Sequence, residues 1–284
     1  RSLLREASYL PDPNARLFIR AKVLGQTRKN AFRIRQHRDN PTSVAEWTKL
    51  ALQQANKALN QLRRANEGER SRLLRVLLMT YGRIGSRRYE LLKPLYQTDR
   101  KVDGASTENS SSGGGSLDGG DDLPALTPEI YALAKSQKQA NPPTHTRKNP
   151  RHLEPIIPAT NNRMLPMPKK RIKNMHRKWY ADFLNRLLPP LPTKEWQQLR
   201  DWSQGHNLPD LVIPRRNASE RLHFGKYSAL EATVLQGRID NAVYGNREAH
   251  EITPRYMQRL WATVFSISPY MVYNDETKEW RVLW

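Results

Sequence analysis

The chain has no cysteine among its 284 residues. That absence excludes disulfides, thiolate zinc sites, iron–sulfur ligation and cysteine nucleophiles together, and gives no support to an oxidising, secreted setting. No stretch approaches the ~18 or more consecutive apolar residues that a membrane-spanning helix requires. Carboxylates are scarce, with 27 Asp and Glu against 48 Lys and Arg. Asp121 and Asp122 lie in a Gly/Ser-rich stretch, while Asp201, Asp210, Glu231, Asp240 and Glu248 form no paired motif for acid–base work. The histidines, His37, His145, His152, His176, His206, His223 and His250, never recur at the i, i+4 or H-E-x-x-H spacing that puts two imidazoles on one metal. A G-x-S-x-G elbow, a Walker loop and a dinucleotide fingerprint are missing too. The expectation is a protein that is not an enzyme and has no metal site or cofactor of its own, a site assembled only in space being the one route left open.

What remains is strongly cationic. The formal net charge is +21 and the mean hydropathy is −0.80. A compact chain with so much like charge repels itself, so an anionic partner is expected: RNA, an acidic protein or an anionic membrane surface. The length allows two modest domains with a buried core. With 37% hydrophobic residues, part of the chain must be linker or a surface held by partners.

The first 38 residues predict a helical hairpin. Leu3, Leu4, Ala7 and Leu10 fall at helical spacing, and Pro11 stops that helix because its ring cannot continue the hydrogen-bond ladder. Asp12 supplies a cap and Pro13 a first-turn proline for a second helix. On it, Leu17, Ala21, Leu24, Ala31 and Ile34 read as the apolar seam, and Arg16, Arg20, Lys22, Arg28, Lys29, Arg33, Arg35 and Arg38 occupy the other faces. Ser43 to Glu46 reads as a capping box for a third helix, whose stripe is Val44, Trp47, Ala51, Ala55, Ala58 and Leu62. Small side chains there serve either close helix packing or a cleft; the spacing does not choose. Gly68 closes that helix, and Leu73, Leu77, Thr80 and Ile84 mark a fourth. Gly82 and Gly85 weaken its end, with a resumption over 89–92 before Pro94.

Residues 98–122 have almost nothing to bury and read as a flexible, acidic Gly/Ser/Asp linker. Thr127 and Pro128 cap a short helix over 129–139, after which seven prolines from Pro142 to Pro168 keep the chain extended. A second cationic concentration follows, with Lys169, Lys170, Arg171, Lys173, Arg177 and Lys178 around an apolar face of Ile172, Met175, Trp179, Phe183 and Leu187. The basic positions are either a solvated helix face or contacts to phosphates. Trp179 and Tyr180 are able to stack on bases, although Trp179 lies on the apolar stripe. Thr193 caps a helix with Trp196, Leu199 and Trp202 on one face; 205–214 is a loop and 228–243 is weakly helical. Thr253 and Pro254 open a helix with Met257, Leu260, Trp261 and Val264 inward. Met271, Val272 and Tyr273 then face Trp280, Val282 and Trp284 across 274–278 as a terminal β-hairpin, expected to pack on the preceding helix or join a partner's sheet.

The opening pattern resembles the mitochondrial LYR-motif family, whose members begin with Leu-Tyr-Arg, continue as R-x-L-L-R and carry a Phe-Arg pair late in the second helix. Arg1, Leu4 and Arg5 correspond to the end of that tripeptide and its sequel, Arg16 to the second-helix arginine, and Phe32 with Arg33 to the later pair. The leucine and tyrosine are expected just before Arg1, with the true amino terminus, including any transit peptide, missing. The resemblance covers residues 1 to about 95. It implies a three-helix bundle whose groove accepts the acyl-phosphopantetheine of mitochondrial acyl carrier protein, while its basic surface meets that partner's acidic helices; the fourth helix read here is an elaboration of it. By the resemblance, Arg1, Arg5, Arg16 and Arg33 meet the acidic partner, and Leu4 and Phe32 line the groove. Trp47 joins them on the present reading of the third helix.

The expected fold is mainly α: an LYR-like antiparallel bundle over 1–97, the linker over 98–122, a Pro-rich extended segment with a short helix over 123–168, and a basic helical region ending in a hairpin over 169–284. The favoured function is a non-catalytic adaptor in the mitochondrial matrix. It would bind acyl carrier protein and dock by its basic extension on a large assembly, foremost the mitochondrial ribosome or another RNA-containing complex. A respiratory-complex accessory or assembly factor, and a plain RNA-binding protein without the carrier, are the alternatives.

Overall fold

The computed structural model describes residues 1–37, 41–97, 126–143, 148–160, 164–211 and 250–284. Among them, in chain order, the helices are α1 (Ser2–Ser8), α2 (Pro13–Gln36), α3 (Pro41–Asn66), α4 (Arg70–Thr80), α5 (Ser86–Gln97), α6 (Pro128–Ala140), α7 (Lys169–Arg186), α8 (Thr193–Gln204) and α9 (Pro254–Phe265). The strands β1 (Tyr270–Asn274) and β2 (Glu279–Leu283) follow. The fold is therefore mainly helical with a small C-terminal hairpin. The expected linker 98–122 and the segment 228–243 lie outside the described residues. The chain groups into two compact units, Arg1–Tyr81 with Gln197–Phe265, and Gly82–Trp196 with Ser266–Trp284.

In the first unit, α1 ends before Pro11, and the Asp12 side chain caps α2 by accepting from Ala15 N at 3.0 Å. The face that α2 buries is not the expected one. Leu17 is 68% exposed, Ala21, Ala31 and Ile34 are exposed, and Leu24 is half-buried, whereas Ala15 and Ile19 are buried and Val23 follows them half-buried. The two sets differ by two positions, about 200° on a helix of ~3.6 residues per turn, so the seam lies almost opposite the one read from the sequence. Apolar residues surround α2 without a dominant direction, and the packing of α1 and α4 decides which side turns in. Helix α3 begins at Pro41, so Ser43 stands in its first turn and not at the cap.

Gly68 ends α3 with φ +91, a left-handed conformation that side chains rarely adopt. Its carbonyl accepts from His250 N at 3.2 Å and from Tyr256 Oη at 2.9 Å. A Cβ on Gly68 would stand 1.7 Å from the His250 carbonyl oxygen, so glycine is required for this approach. Helix α9 starts as expected, Thr253 Oγ1 accepting from Tyr256 N at 3.2 Å. Met257, Leu260, Trp261 and Val264 are buried, and α9 packs on α4.

In the second unit, Leu92, Ile130, Ala134, Phe183 and Leu187 form the core shared by α5, α6 and α7. Helix α5 does not stop before Pro94 but runs through it to Gln97. Proline deletes one ladder donor, and the packing of Leu92 and Leu95 on this core holds the helix across the gap. Thr127 caps α6, accepting from Ile130 N at 3.3 Å and donating to the Leu95 carbonyl at 2.9 Å. Helix α8 includes Thr193 as its first residue, so that threonine is not its cap. The expected hairpin forms, pairing Met271 with Val282 and Tyr273 with Trp280. Within this unit it packs on α6: Trp284 Nε1 donates to Ser136 Oγ at 2.8 Å, and Tyr270 stacks on Trp196 at 5.1 Å.

Candidate functional site

Helices α2 and α3 each pack on α1 and α4. The space between them is a cleft of about 370 Å³. Its apolar lining is Leu3 from α1, Ile19 and Val23 from α2, Ala55, Ala58 and Leu62 from α3, and Val76 and Met79 from α4. Lys22, Gln26, Asn30 and Gln54 give it a polar rim. The alanines of α3 present methyl groups where larger side chains would close the gap. A second cleft of about 260 Å³ continues from it, sharing Gln26, Asn30, Ala51 and Gln54, and is bounded by Arg33, Ile34 and Trp47. There the Arg33 guanidinium lies 5.5 Å from the Trp47 ring centre, and His37 meets the same ring edge-on at 4.9 Å. The pair of clefts is a long trough, oily at one end and cationic-aromatic at the other.

Of the residues singled out from the sequence, Arg33 and Trp47 are brought together on this trough. Phe32 is 68% exposed and lines neither cleft. Leu4 is half-buried outside the trough, its neighbour Leu3 taking the lining position. Arg1, at the N-cap of α1, and Arg5 on that helix are exposed. Arg16 turns inward: Nε donates to the Leu10 carbonyl at 2.6 Å, and Nη2 to those of Pro11 at 3.2 Å and Asp210 at 3.4 Å. It closes the α1–α2 turn. The sequence reading missed Leu3, Ile19, Val23, Val76 and Met79. Their signal was the i, i+4 step from Ile19 to Val23 and the i, i+3 step from Val76 to Met79, the first masked by the rival apolar positions of α2.

In the same unit Asp12 is fully buried, and Tyr81 Oη and Trp261 Nε1 donate to its Oδ2 at 2.9 and 3.0 Å. Burial raises its carboxyl above the ordinary 3.8, more than the hydrogen bonds from Trp261, Ala15 and Tyr81 lower it.

The basic residues of α7 sit in the second unit. Lys169, Lys170, Arg171, Arg177 and Lys178 are exposed and Lys173 is half-buried, while Phe183 is buried and Ile172, Met175 and Trp179 are half-buried. None of the six cations is within ion-pair distance of a carboxylate among the described residues. Elsewhere in this unit Arg83 is fully buried, donating to the carbonyls of Ile267 at 2.9 Å and Pro189 at 2.6 Å. Desolvation, with Arg88 and Arg87 beside it, pushes its guanidinium down to about 9, Glu195 opposing, so it keeps its charge at neutral pH. Arg88 donates to the carbonyls of Leu184 and Leu187, closing the end of α7.

Among the described residues no group of His, Asp and Glu is placed to hold a metal ion, and no helix is long and apolar enough to cross a membrane. Residues 1–92 match the family model described as LYR motif-containing protein 2-like. No curated protein and no solved structure matches the chain.

Proposed function

Starting from a chain whose residues 1–92 belong to the LYR-motif family, a family of small, generally mitochondrial adaptors linked to acyl-carrier-protein binding, we propose that it is a non-catalytic adaptor of the mitochondrial matrix that holds acylated acyl carrier protein. The observation that carries this is the alanine-lined trough between α2 and α3. An acyl chain needs a narrow apolar slot open at one end, and burial of its methylenes contributes about 0.8 kcal/mol each. The phosphopantetheine that bears the chain belongs to the carrier, and the adaptor needs no cofactor of its own. Exposed cations on the same bundle, Arg1, Arg5, Arg20, Arg28 and Lys29, together with Arg33, complement an acidic carrier surface. Arg16 is engaged internally and supports the site by fixing the turn.

The second half of the proposal is that the basic extension docks the pair on a large RNA-containing assembly, foremost the mitochondrial ribosome. A net charge of +21 and the cations of α7, none of which pairs with a carboxylate among the described residues, favour RNA as the counterpart.

Ala55→Phe tests the trough, because the new ring projects into space already open. The full-length variant is expected to keep its helical circular dichroism and to lose retention of acylated carrier in a pull-down, as is the double variant Phe32→Ala with Arg33→Asp. Retention at the wild-type level by Ala55→Phe refutes the groove assignment. Release of the native protein from its assembly by nuclease supports the RNA half, and indifference to nuclease counts against it.

A further inference from the structure

A cavity in the second unit takes no part in the trough. It measures about 580 Å³, within the ~300–1,000 Å³ usual for small-ligand sites. One wall is α7, and the other is the extended segment after α6. Four cations line it, Lys148 and Arg151 from the extended segment and Lys178 and Arg186 from α7, against the single carboxylate of Asp182. None of the four forms an ion pair with a carboxylate among the described residues. Among proline and isoleucine side chains the cavity carries an aromatic pair: Trp179 lines it half-buried and stacks on the buried Phe183 at 5.1 Å with ring planes 27° apart, while His176 meets the indole at 5.5 Å with planes tilted by 59°. Phe183 belongs to the core, so Trp179 is backed on one face by rigid structure.

We infer that this cavity binds an unstacked nucleotide of single-stranded RNA, its base stacked on Trp179 and its flanking phosphates on Lys148, Arg151, Lys178 and Arg186. A cationic groove beside an aromatic platform is the chemistry of single-strand recognition, since every base has a π-face while the phosphates supply the charge. An acidic protein surface would use the cations and leave the cavity's aromatic pair uncovered. A duplex keeps its bases stacked and offers none to the cavity. Asp182 gives the site a ribose preference, because a carboxylate beside a bound sugar accepts from the 2′-hydroxyl, which DNA lacks.

The inference rests on the RNA half of the proposed function and makes it more specific, so the test separates the two. Full-length protein is titrated with a fluorescent twelve-nucleotide oligouridine, the matching oligodeoxyuridine, a twelve-base-pair RNA duplex and uridine monophosphate over a range of salt. Oligouridine is expected to bind tightest. Trp179→Leu should weaken it about tenfold or more, the size of one base–aromatic stack, and Trp179→Phe should retain most of the affinity. Replacing Lys148, Arg151, Lys178 and Arg186 with glutamine should reduce the log–log salt slope by about 0.7 for each phosphate no longer neutralised. If Trp179→Leu does not fold, photocrosslinking of 4-thiouridine oligonucleotides to wild-type protein decides, a crosslinked peptide containing Trp179 being expected. Absence of any RNA binding by the wild type overturns the RNA half of the function and the cavity with it. RNA binding that is indifferent to Trp179 and to the four cations, or crosslinks confined to other segments, overturns the cavity alone. Equal affinity for oligodeoxyuridine overturns the ribose preference, and uridine monophosphate binding as tightly as the oligomer overturns the strand.

Discussion

Asp12→Ala removes the acceptor on which the bundle's interior converges. The carboxylate is fully buried and accepts from Ala15 N at 3.0 Å, Tyr81 Oη at 2.9 Å and Trp261 Nε1 at 3.0 Å. Loss of the helix cap costs about 1 kcal/mol. Taking this acceptor from two buried donors costs ~1–3 kcal/mol each. Relief of the buried charge offsets part of this, so a net loss of about 3 kcal/mol is expected, by the standard of such deletions. The loss should depend on pH with a definite sign. Because burial holds the folded carboxyl above 3.8, the native state keeps a proton that the unfolded chain has lost in the window between the two values. The group's contribution is therefore complete below 3.8 and is lost as pH rises through the raised value. The stability advantage of wild type over Asp12→Ala should shrink as pH rises across that window. Urea unfolding of both proteins at a series of pH values reads it directly. An advantage that grows with pH, or a variant as stable as wild type, would refute the account of Asp12 as a desolvated hub.

Arg16→Ala should destabilise the protein by about 2 kcal/mol in denaturant unfolding, since it breaks hydrogen bonds from a charged donor to three carbonyls, while the folded fraction still retains acyl carrier protein. Arg16→Lys should not restore it, because an ammonium lacks the planar fork. Neutralising Lys170, Lys173 and Arg177 together should flatten the salt dependence of RNA binding with little change in melting temperature, as none of them is ion-paired to a described carboxylate.

What the sequence makes legible is what local chemistry decides. Thr127 and Thr253 cap the helices they were expected to cap, and Gly68 takes the left-handed turn that ends α3. The terminal hairpin forms where alternation on both sides of a polar loop predicts it. Half of the trough is legible too: Ala51, Ala55, Ala58 and Leu62 form one wall, the stripe read from spacing alone. The opposite wall was hidden because α2 carries apolar residues around its whole circumference, and only the position of α1 and α4 turns Ile19 and Val23 inward instead of Leu17 and Leu24. Arg16 reads as a surface cation until the chain reversal brings the Leu10 and Pro11 carbonyls to it. Pro94 reads as a helix stop until the core formed with Ile130 and Phe183 outweighs one missing donor. Periodicity has no means of announcing that Trp261 will satisfy a carboxylate 249 positions earlier.

That last hydrogen bond bears on how the protein can be taken apart. The region recognisable by family stops at residue 92, yet α9 lies against α4, and Trp261 reaches Asp12 within the same compact unit. A fragment trimmed to the recognisable region would expose the apolar side of α4 and strand a carboxylate in its own interior, while Gly68 would lose both donors to its carbonyl. Failure of such a piece to capture an acyl carrier would report an injury made by the scissors. Dissection of this molecule should keep residues 197–265 with the first 81.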